Sequence, residues 1–224
     1  MPGSKRWSTL QRVRYIGKPI VFTLCLVPFL WIALTAFGLT RDDLGANPVE
    51  TLMDYFGTLG LRFVLIALAV TPLRKLTGWA WLSLFRRMIG LFAAFYVTNH
   101  FLVYLILDQG LVLGPVIEDV VKRPYITIGF TALLLLLAMA ATSTFAMRRR
   151  MGKRWQQLHN SVYVVGILGV WHYWWQVKSA SDILEPSIYL LVLCLLLGLR
   201  LYWRLARPRP VSRNANRANP EGAA

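Results

Sequence analysis

The sequence contains few acidic residues, cysteines and histidines. Among 224 residues there are only ten Asp and Glu, two Cys and three His. No Cys-x-x-Cys-His motif occurs, so covalent attachment of c-type haem through that motif is excluded. No Gly-x-Gly-x-x-Gly motif occurs either, so we expect no dinucleotide such as FAD or NADPH to bind to this chain itself.

What the sequence does contain is long apolar runs. Hydrophobic residues make up 56% of the chain and charged residues only 16%. The runs are continuous, without the period-two alternation of strands, so they indicate helices that cross about 30 Å of hydrocarbon. We therefore predict an all-α, polytopic membrane protein with six transmembrane helices: Ile16–Leu39, Thr58–Leu73, Met88–Leu107, Tyr125–Met147, Leu158–Val177 and Pro186–Leu205.

The net charge of +15 is distributed as in a membrane protein, not as in a nucleic-acid-binding protein. With the N-terminus in the cytoplasm, 20 Lys and Arg fall in inner segments and 5 fall in outer ones, whereas nine of the ten acidic residues are outer. The positive-inside rule accounts for this asymmetry. The predicted organisation is a basic cytoplasmic N-terminus (1–15), a membrane domain (16–205) and a disordered cytoplasmic tail (206–224).

Two further features concern the connections. The outer loop Gly110–Arg123 is predicted to form a short amphipathic helix at the membrane surface. No internal repeat is evident from the residues.

The three histidines, His100, His159 and His172, all fall in or beside predicted membrane helices. An ionisable side chain in a membrane helix is costly, so it indicates a functional site. A neutral imidazole is a strong axial ligand for haem iron, and apolar helices suit a flat, apolar porphyrin. The histidines are therefore candidate ligands of b-type haem.

Helix geometry predicts which histidines can act together. His100 lies 12 residues past Met88 and His172 lies 14 residues past Leu158, so each has risen roughly 18–21 Å from the inner side. We expect these two to bind the iron of one haem in the outer half of the membrane. His159, roughly 20 Å from His172, cannot share that haem. It remains open whether His159 binds a second haem or is a packing residue at the membrane boundary.

A longer pattern surrounds these histidines. The segment Arg154-Trp155-Gln156-Gln157-Leu158-His159-Asn160-Ser161-Val162-Tyr163, together with Arg86-Arg87-Met88-Ile89-Gly90-Leu91 before His100, resembles the ferric-reductase-like transmembrane family. Within that family, Pro72-Leu73-Arg74 and the compact length resemble the haem-binding membrane subunits of bacterial periplasmic methionine-sulfoxide reductases. The resemblance extends from Ile16 to Leu205.

The resemblance implies a haem-b electron-transfer subunit in the bacterial inner membrane, with His100 and His172 as ligands and His159 as a third matching histidine. It implies membrane quinol or a flavin reductase as electron donor, and FMN as a further cofactor. The implied partner is a periplasmic, molybdenum-containing methionine-sulfoxide reductase subunit, which would carry the catalysis. One departure is Arg87, which stands 13 residues before His100 where larger relatives have a histidine. A second haem, a flavin or a quinol therefore all remain open at His159.

Two other functions are compatible with the sequence. The chain could reduce an external metal ion directly, as a quinol-linked metalloreductase. A cofactor-free transporter or scaffold would instead need polar residues or helix breaks at the membrane midplane, and few are present.

The charge asymmetry makes a testable prediction about topology. Alkaline phosphatase fused after residue 224 should be inactive and a fluorescent protein fused there should be bright, because both termini are predicted to be cytoplasmic. The matched control is the same pair of reporters inserted in the acidic loop between residues 110 and 114. An active phosphatase at the C-terminus would contradict the six-helix topology.

Overall fold

The computed structural model describes residues 7–177 and 179–206, and their regular structure is entirely helical. In chain order the helices are α1 (Thr9–Ala36), α2 (Pro48–Thr77), α3 (Arg86–Asp108), α4 (Leu113–Lys122), α5 (Pro124–Ala141), α6 (Phe145–Met151), α7 (Lys153–Asn160), α8 (Val162–Trp175) and α9 (Leu184–Leu205). Short 3₁₀ turns lie at Ala80–Leu84 and Ala180–Ile183. Residues 207–224, nearly all of the predicted tail, lie outside the described residues, as do residues 1–6.

Five of these helices, α1, α2, α3, α5 and α9, are long and apolar enough to cross a membrane. The prediction of a single helix over Leu158–Val177 is wrong, because the chain turns at Ser161 and divides that segment into α7 and α8. Asn160 and Ser161 are residues that compete with helical hydrogen bonding, which explains a break at this point. The apolar part, α8, has 14 residues and is roughly 21 Å long.

Two other predicted helix boundaries are also wrong. The predicted helix Thr58–Leu73 is in fact Pro48–Thr77, because the Asn47 side chain caps it by accepting from the Glu50 N–H. The acidic residues of its first turns had hidden this extension from a hydropathy pattern. The predicted helix Tyr125–Met147 ends at Ala141, and the Thr144 side chain caps the separate helix α6.

The helix predicted in the loop Gly110–Arg123 is present as α4. Its Val116 is buried, whereas Leu113, Ile117 and Val121 are exposed on one side at the spacing of successive helical turns. That pattern is typical of a helix that lies along a membrane surface. Helix α4 leads directly into α5, which carries part of the site described below.

The membrane helices alternate in direction, and α2 pairs with α3 while α5 pairs with α8. One end of the bundle, called the acidic end here, carries Asp54, Asp119 and Glu185. The other, the basic end, carries Arg74, Arg86 and other Lys and Arg side chains. The acidic end corresponds to the predicted outer side.

At the acidic end, Glu185 of α9 joins three helices. Its carboxylate accepts hydrogen bonds from Tyr189 in the same helix, from Tyr173 of α8 and from Arg62 of α2, at 2.8, 3.0 and 3.1 Å. Arg62 also donates to the Tyr189 hydroxyl at 2.7 Å. The network holds α9 against both helix pairs.

Tyr96 of α3 is fully buried and completes the backbone hydrogen bonding of α1. Pro28 interrupts α1, since proline has no N–H and crowds the preceding turn. The Tyr96 hydroxyl donates to the Cys25 carbonyl at 2.7 Å and accepts from the Phe29 N–H at 3.1 Å. Those two groups lie four residues apart on the turn around Pro28, so the hydroxyl joins α3 to the backbone of α1 there. Tyr55 of α2 adds a bond to the Pro28 carbonyl at 3.0 Å.

Tyr96→Phe should therefore destabilise the protein. Loss of the two hydrogen bonds that join α3 to the Cys25 carbonyl and to the Phe29 N–H should cost about 1–3 kcal/mol. Unfolding of the purified protein in mixed micelles would measure the loss. Tyr202→Phe, at an exposed tyrosine of α9, is the control. Equal stabilities of the two variants would show that the hydroxyl bridge contributes nothing.

Candidate functional site

The structure brings His100 and His172 together from different helix pairs. His100 lies on α3 and His172 on α8, yet their ring centroids are 6.1 Å apart and their planes are nearly perpendicular, at 83°. The similar depths predicted from helix rise are thus what the structure shows. Two imidazoles this close, in a membrane interior, require a reason beyond packing.

Each imidazole is oriented by a backbone carbonyl of the neighbouring helix. His100 Nδ1 lies 2.9 Å from the Met53 carbonyl oxygen on α2. His172 Nδ1 lies 2.7 Å from the Tyr125 carbonyl oxygen on α5. A carbonyl only accepts, so both Nδ1 atoms carry the proton and both Nε2 atoms keep a free lone pair. This is the tautomer in which histidine binds a metal ion through Nε2.

Two glycines allow this arrangement. A Cβ atom on Gly57 of α2 would lie 2.9 Å from His100 Nδ1, and a Cβ atom on Gly129 of α5 would lie 2.8 Å from His172 Nδ1. Real Cβ atoms essentially never approach another atom this closely. The imidazoles therefore lie directly against glycine backbone.

The spacing of the rings suits a metal ion bound between them. An imidazole nitrogen binds a metal ion at about 2.0–2.1 Å, as in zinc sites, so the centroids of two opposed rings are about 6 Å apart. The observed 6.1 Å agrees with that arrangement. Among the described residues there is no cluster of three or more His, Cys, Asp or Glu that could hold a metal ion by itself. The donor set is two histidines, as in a bis-histidine haem.

Both histidines line a cavity of about 960 Å³ that extends toward the acidic end. Its deep part is apolar, with Leu61, Leu133 and Leu136 in its walls. Near the acidic end its walls include Tyr104, Arg123 and several carboxylates. The volume is at the upper end of the range for cofactor and ligand sites. An apolar cavity with two opposed imidazoles fits a haem.

Gln176 also belongs to the site, although it was not predicted from the sequence. Its position shows where the lone pair of His172 Nε2 points. Its side-chain amide nitrogen lies 3.2 Å from His172 Nε2 and lines the same cavity. An amide N–H can donate only if that Nε2 is unprotonated, which agrees with the tautomer fixed by Tyr125. A metal ion on His172 would take the place of this hydrogen bond.

His159 is not part of this site. It lies on α7, where its Nδ1 is 3.0 Å from the Trp155 carbonyl oxygen and its ring stacks on the Trp155 ring at 3.8 Å. Trp155 in turn donates to the Thr142 carbonyl. The half-buried imidazole thus belongs to the connection between α5 and α8 at the basic end.

Arg200 of α9, like Gln176, has a role that was not predicted from the sequence. From the sequence it is counted only among the basic residues of the inner segments. Its guanidinium donates to the Tyr163 hydroxyl and the Leu68 carbonyl, and it lies over the Tyr163 ring at 5.0 Å. Its Nε is buried and has no hydrogen-bond partner within the described structure. Such a group within a long apolar helix could have been noticed from the sequence.

The two halves of the site have the same arrangement at an offset of 72 residues, although no repeat is evident from the residues. Met53, Gly57 and His100 are each followed, 72 residues later, by Tyr125, Gly129 and His172 in the same roles. Few other residues match at this offset, which is why the sequence alone conceals it. At the basic end the repeat fails, because Arg87 occupies the position equivalent to His159.

The fold and the site together define a helical membrane protein with two partly buried histidines close together. The model of the family described as "Ferric reductase like transmembrane component" matches residues 56–170. The chain belongs to that family. The matched segment includes Gly57, His100, Gly129 and His159, whereas His172 lies just beyond it.

Several relatives are similar over most of the chain. Proteins named "protein-methionine-sulfoxide reductase heme-binding subunit MsrQ" are 50% identical in Ralstonia nicotianae, over 82% of this chain and 83% of the relative. The protein of that name in Polaromonas naphthalenivorans is 44% identical over 96% of each chain. In Bordetella pertussis it is 47% identical over 85% of this chain and 93% of the relative. No solved structure matches the chain.

Proposed function

We propose that this protein is a haem-b membrane subunit that passes electrons to a periplasmic methionine-sulfoxide reductase. The observation that carries the proposal is the close pair of His100 and His172, with Nδ1 bonded to a backbone carbonyl and Nε2 unprotonated on both rings. The name of the Ralstonia nicotianae relative, which is 50% identical, supports it. Catalysis on methionine sulfoxide belongs to the partner subunit in this proposal, which we expect to contain molybdenum.

When bound, haem supplies an iron that accepts and releases one electron at a time. The chain's own residues supply everything else at the site. His100 and His172 would hold the iron through Nε2, and the Met53 and Tyr125 carbonyls, which orient the rings, would make the imidazoles stronger ligands. The apolar cavity walls limit the access of water, and the carboxylates at the acidic end favour the more positive, oxidised state of the iron.

The route of the electrons follows from the two ends of the bundle. The cavity extends toward the acidic end, so we place the exit to the periplasmic partner there. Electrons then enter at the basic end in the inner membrane, from membrane quinol or from a separate flavin reductase. His159, the Trp155 ring and the surrounding Arg side chains form the entry region in this proposal.

Two finer assignments belong to the same proposal. FMN, if it is a resident cofactor, would place its phosphate among the arginines of the basic end, since anions bind where cationic side chains cluster. A second haem on His159 would need another ligand, because no other histidine of the described chain lies at its depth.

Direct reduction of an external metal ion is a second candidate. The carboxylates of Asp54, Asp108 and Glu185 line the cavity on the side predicted to face outward, where they would attract a cation. Ferric-ion reduction by cells that lack the methionine-sulfoxide reductase partner would favour this candidate. If deletion of this protein abolished methionine-sulfoxide repair and left ferric reduction unaffected, the role as a reductase subunit would be favoured.

His100→Ala and His172→Ala should each abolish most haem binding. Removing one axial ligand should weaken haem affinity by more than the roughly 10–100-fold that loss of a supporting partner costs. Haem extraction and reduced-minus-oxidised spectra of the purified variants measure the effect. Asn99→Ala is the matched control, because the Asn99 amide bonds only to its own helix, at the Phe95 carbonyl. Wild-type haem content in both histidine variants would refute the ligand assignment.

His159→Ala should slow reduction by the inner donor and retain the haem held by His100 and His172. The reason is its location, away from the cavity but at the end where electrons enter. Stopped-flow reduction by a soluble quinol analogue measures the rate, with a flavin reductase as the second donor. Asn160→Ala, at the exposed neighbour in α7, is the control. Unchanged kinetics at full haem content would make His159 a packing residue only.

A further inference from the structure

Gly57 and Gly129 have the same relation to the two histidines in two separate parts of the chain. In each case the glycine follows the accepting carbonyl by four residues, Met53 before Gly57 and Tyr125 before Gly129. A helical side chain leans toward the N-terminus and covers the turn that precedes it. A Cβ at either glycine would therefore stand between the imidazole and the carbonyl to which it donates.

We propose that Gly57 and Gly129 are positioning residues for the two haem-ligating histidines. By lacking a side chain, each exposes the carbonyl one turn earlier, so that the imidazole of the paired helix can reach it. The hydrogen bond fixes the Nδ1–H tautomer and the ring plane, and so directs Nε2 into the cavity. The proposal deepens the proposed function, since it names what orients the ligands of that same site.

The distances identify the ring as the group that would move. An added Cβ at Gly57 would meet three atoms of the His100 ring at 2.9, 3.2 and 3.6 Å. At Gly129 the three nearest atoms also belong to one imidazole, that of His172, at 2.8, 2.8 and 3.2 Å. No backbone atom is among them. The clash is relieved most easily by rotating the imidazole, which breaks its bond to the carbonyl.

Other glycines in the same helices provide contrasts. A Cβ at Gly60 of α2 would meet Val97, including its backbone nitrogen at 3.2 Å, so Gly60 serves the close packing of α2 on α3. A Cβ at Gly90 of α3 would meet nothing within 4 Å. Gly60 is thus a packing glycine and Gly90 a free one, whereas Gly57 and Gly129 face only imidazoles.

The repeat supports the proposal independently. The segments that carry the two units share little sequence, and their helices differ in length. The accepting residue itself differs, Met53 in one unit and Tyr125 in the other. What the units retain in common at the site is the glycine, the carbonyl one turn before it and the donating histidine. Packing between neighbouring side chains alone would not produce the same glycine, carbonyl and histidine arrangement at both sites.

The first test compares single variants of the haem-loaded protein. Gly57→Ala and Gly129→Ala should weaken haem affinity by roughly 10–100-fold, as the loss of a partner of a metal-bound imidazole does. The haem that remains should show an altered low-spin EPR signal and midpoint potential, because the near-perpendicular ring planes are disturbed. Gly90→Ala should match the wild type in all three. Gly60→Ala should lower thermal stability while the EPR signal of its bound haem stays unchanged.

A second test uses the apoprotein and does not depend on haem. Gly57→Ala should lower the thermal midpoint of the wild-type apoprotein but not that of the His100→Ala apoprotein, in which no ring opposes the new methyl group. A double-mutant cycle measures this coupling, and Gly129→Ala with His172→Ala repeats it.

The outcomes separate the two proposals. Additive effects in both cycles, or alanine variants with wild-type haem affinity and EPR signal, would overturn the positioning role. If the apoprotein shows the coupling but the chain takes up no haem, the proposed function is refuted. The packing of each histidine on its glycine is then still established.

Discussion

Two backbone carbonyls, at Met53 and Tyr125, determine how this site is built. In a bilayer interior a polar N–H has few partners, so a buried imidazole must find its acceptor within the protein. Each carbonyl already belongs to a helix, yet its second lone pair accepts the imidazole Nδ1–H. Everything else at the site follows from that bond: a glycine to expose it, a close pair of helices to reach it, and a free Nε2 on the far side of the ring.

The scarcity of polar partners in the bilayer also explains how helices α1 and α9 are attached to the rest of the bundle. Helix α1 contains Pro28, and a hydroxyl from α3 bonds to the Cys25 carbonyl and the Phe29 N–H on either side of it. Helix α9 is held at the acidic end by a carboxylate shared among two tyrosines and Arg62. At the basic end Arg200 bonds to a hydroxyl and to a backbone carbonyl. In each case polar groups that water would satisfy in a soluble protein bond to a neighbouring helix, although the Nε of Arg200 has no partner within the described structure.

Much of the architecture could be predicted from the sequence, because hydrophobic length and charge are local properties. The class of fold, the surface helix α4 and the similar depth of His100 and His172 all follow from counting residues along helices. The extent of α2 could not be predicted, since Glu50 and Asp54 are polar within a helix that continues past them. The turn at Ser161 has no marker strong enough to distinguish it from a continuous helix.

The roles of individual glycines and of Gln176 could not be predicted from the sequence for a different reason. They depend on which helices become neighbours, and a single sequence without an alignment does not give helix pairing. The relation between the two halves of the site at an offset of 72 residues is hidden in the same way, because few residues besides the glycine and the histidine are identical there. Once helices α2 and α3 are known to pair, as α5 and α8 do, the equivalence of the two histidines is evident.

The division of the site between two successive helix pairs has a consequence for biogenesis. The ribosome completes α2 and α3 long before it reaches α8, and membrane helices are inserted in the order in which they are made. During that interval the first imidazole is already oriented by Met53, but its counterpart does not yet exist. A cofactor that needs both rings can be captured only after residue 172 has entered the bilayer, so its uptake is a late step of assembly. It would then join the two halves of the newly made chain.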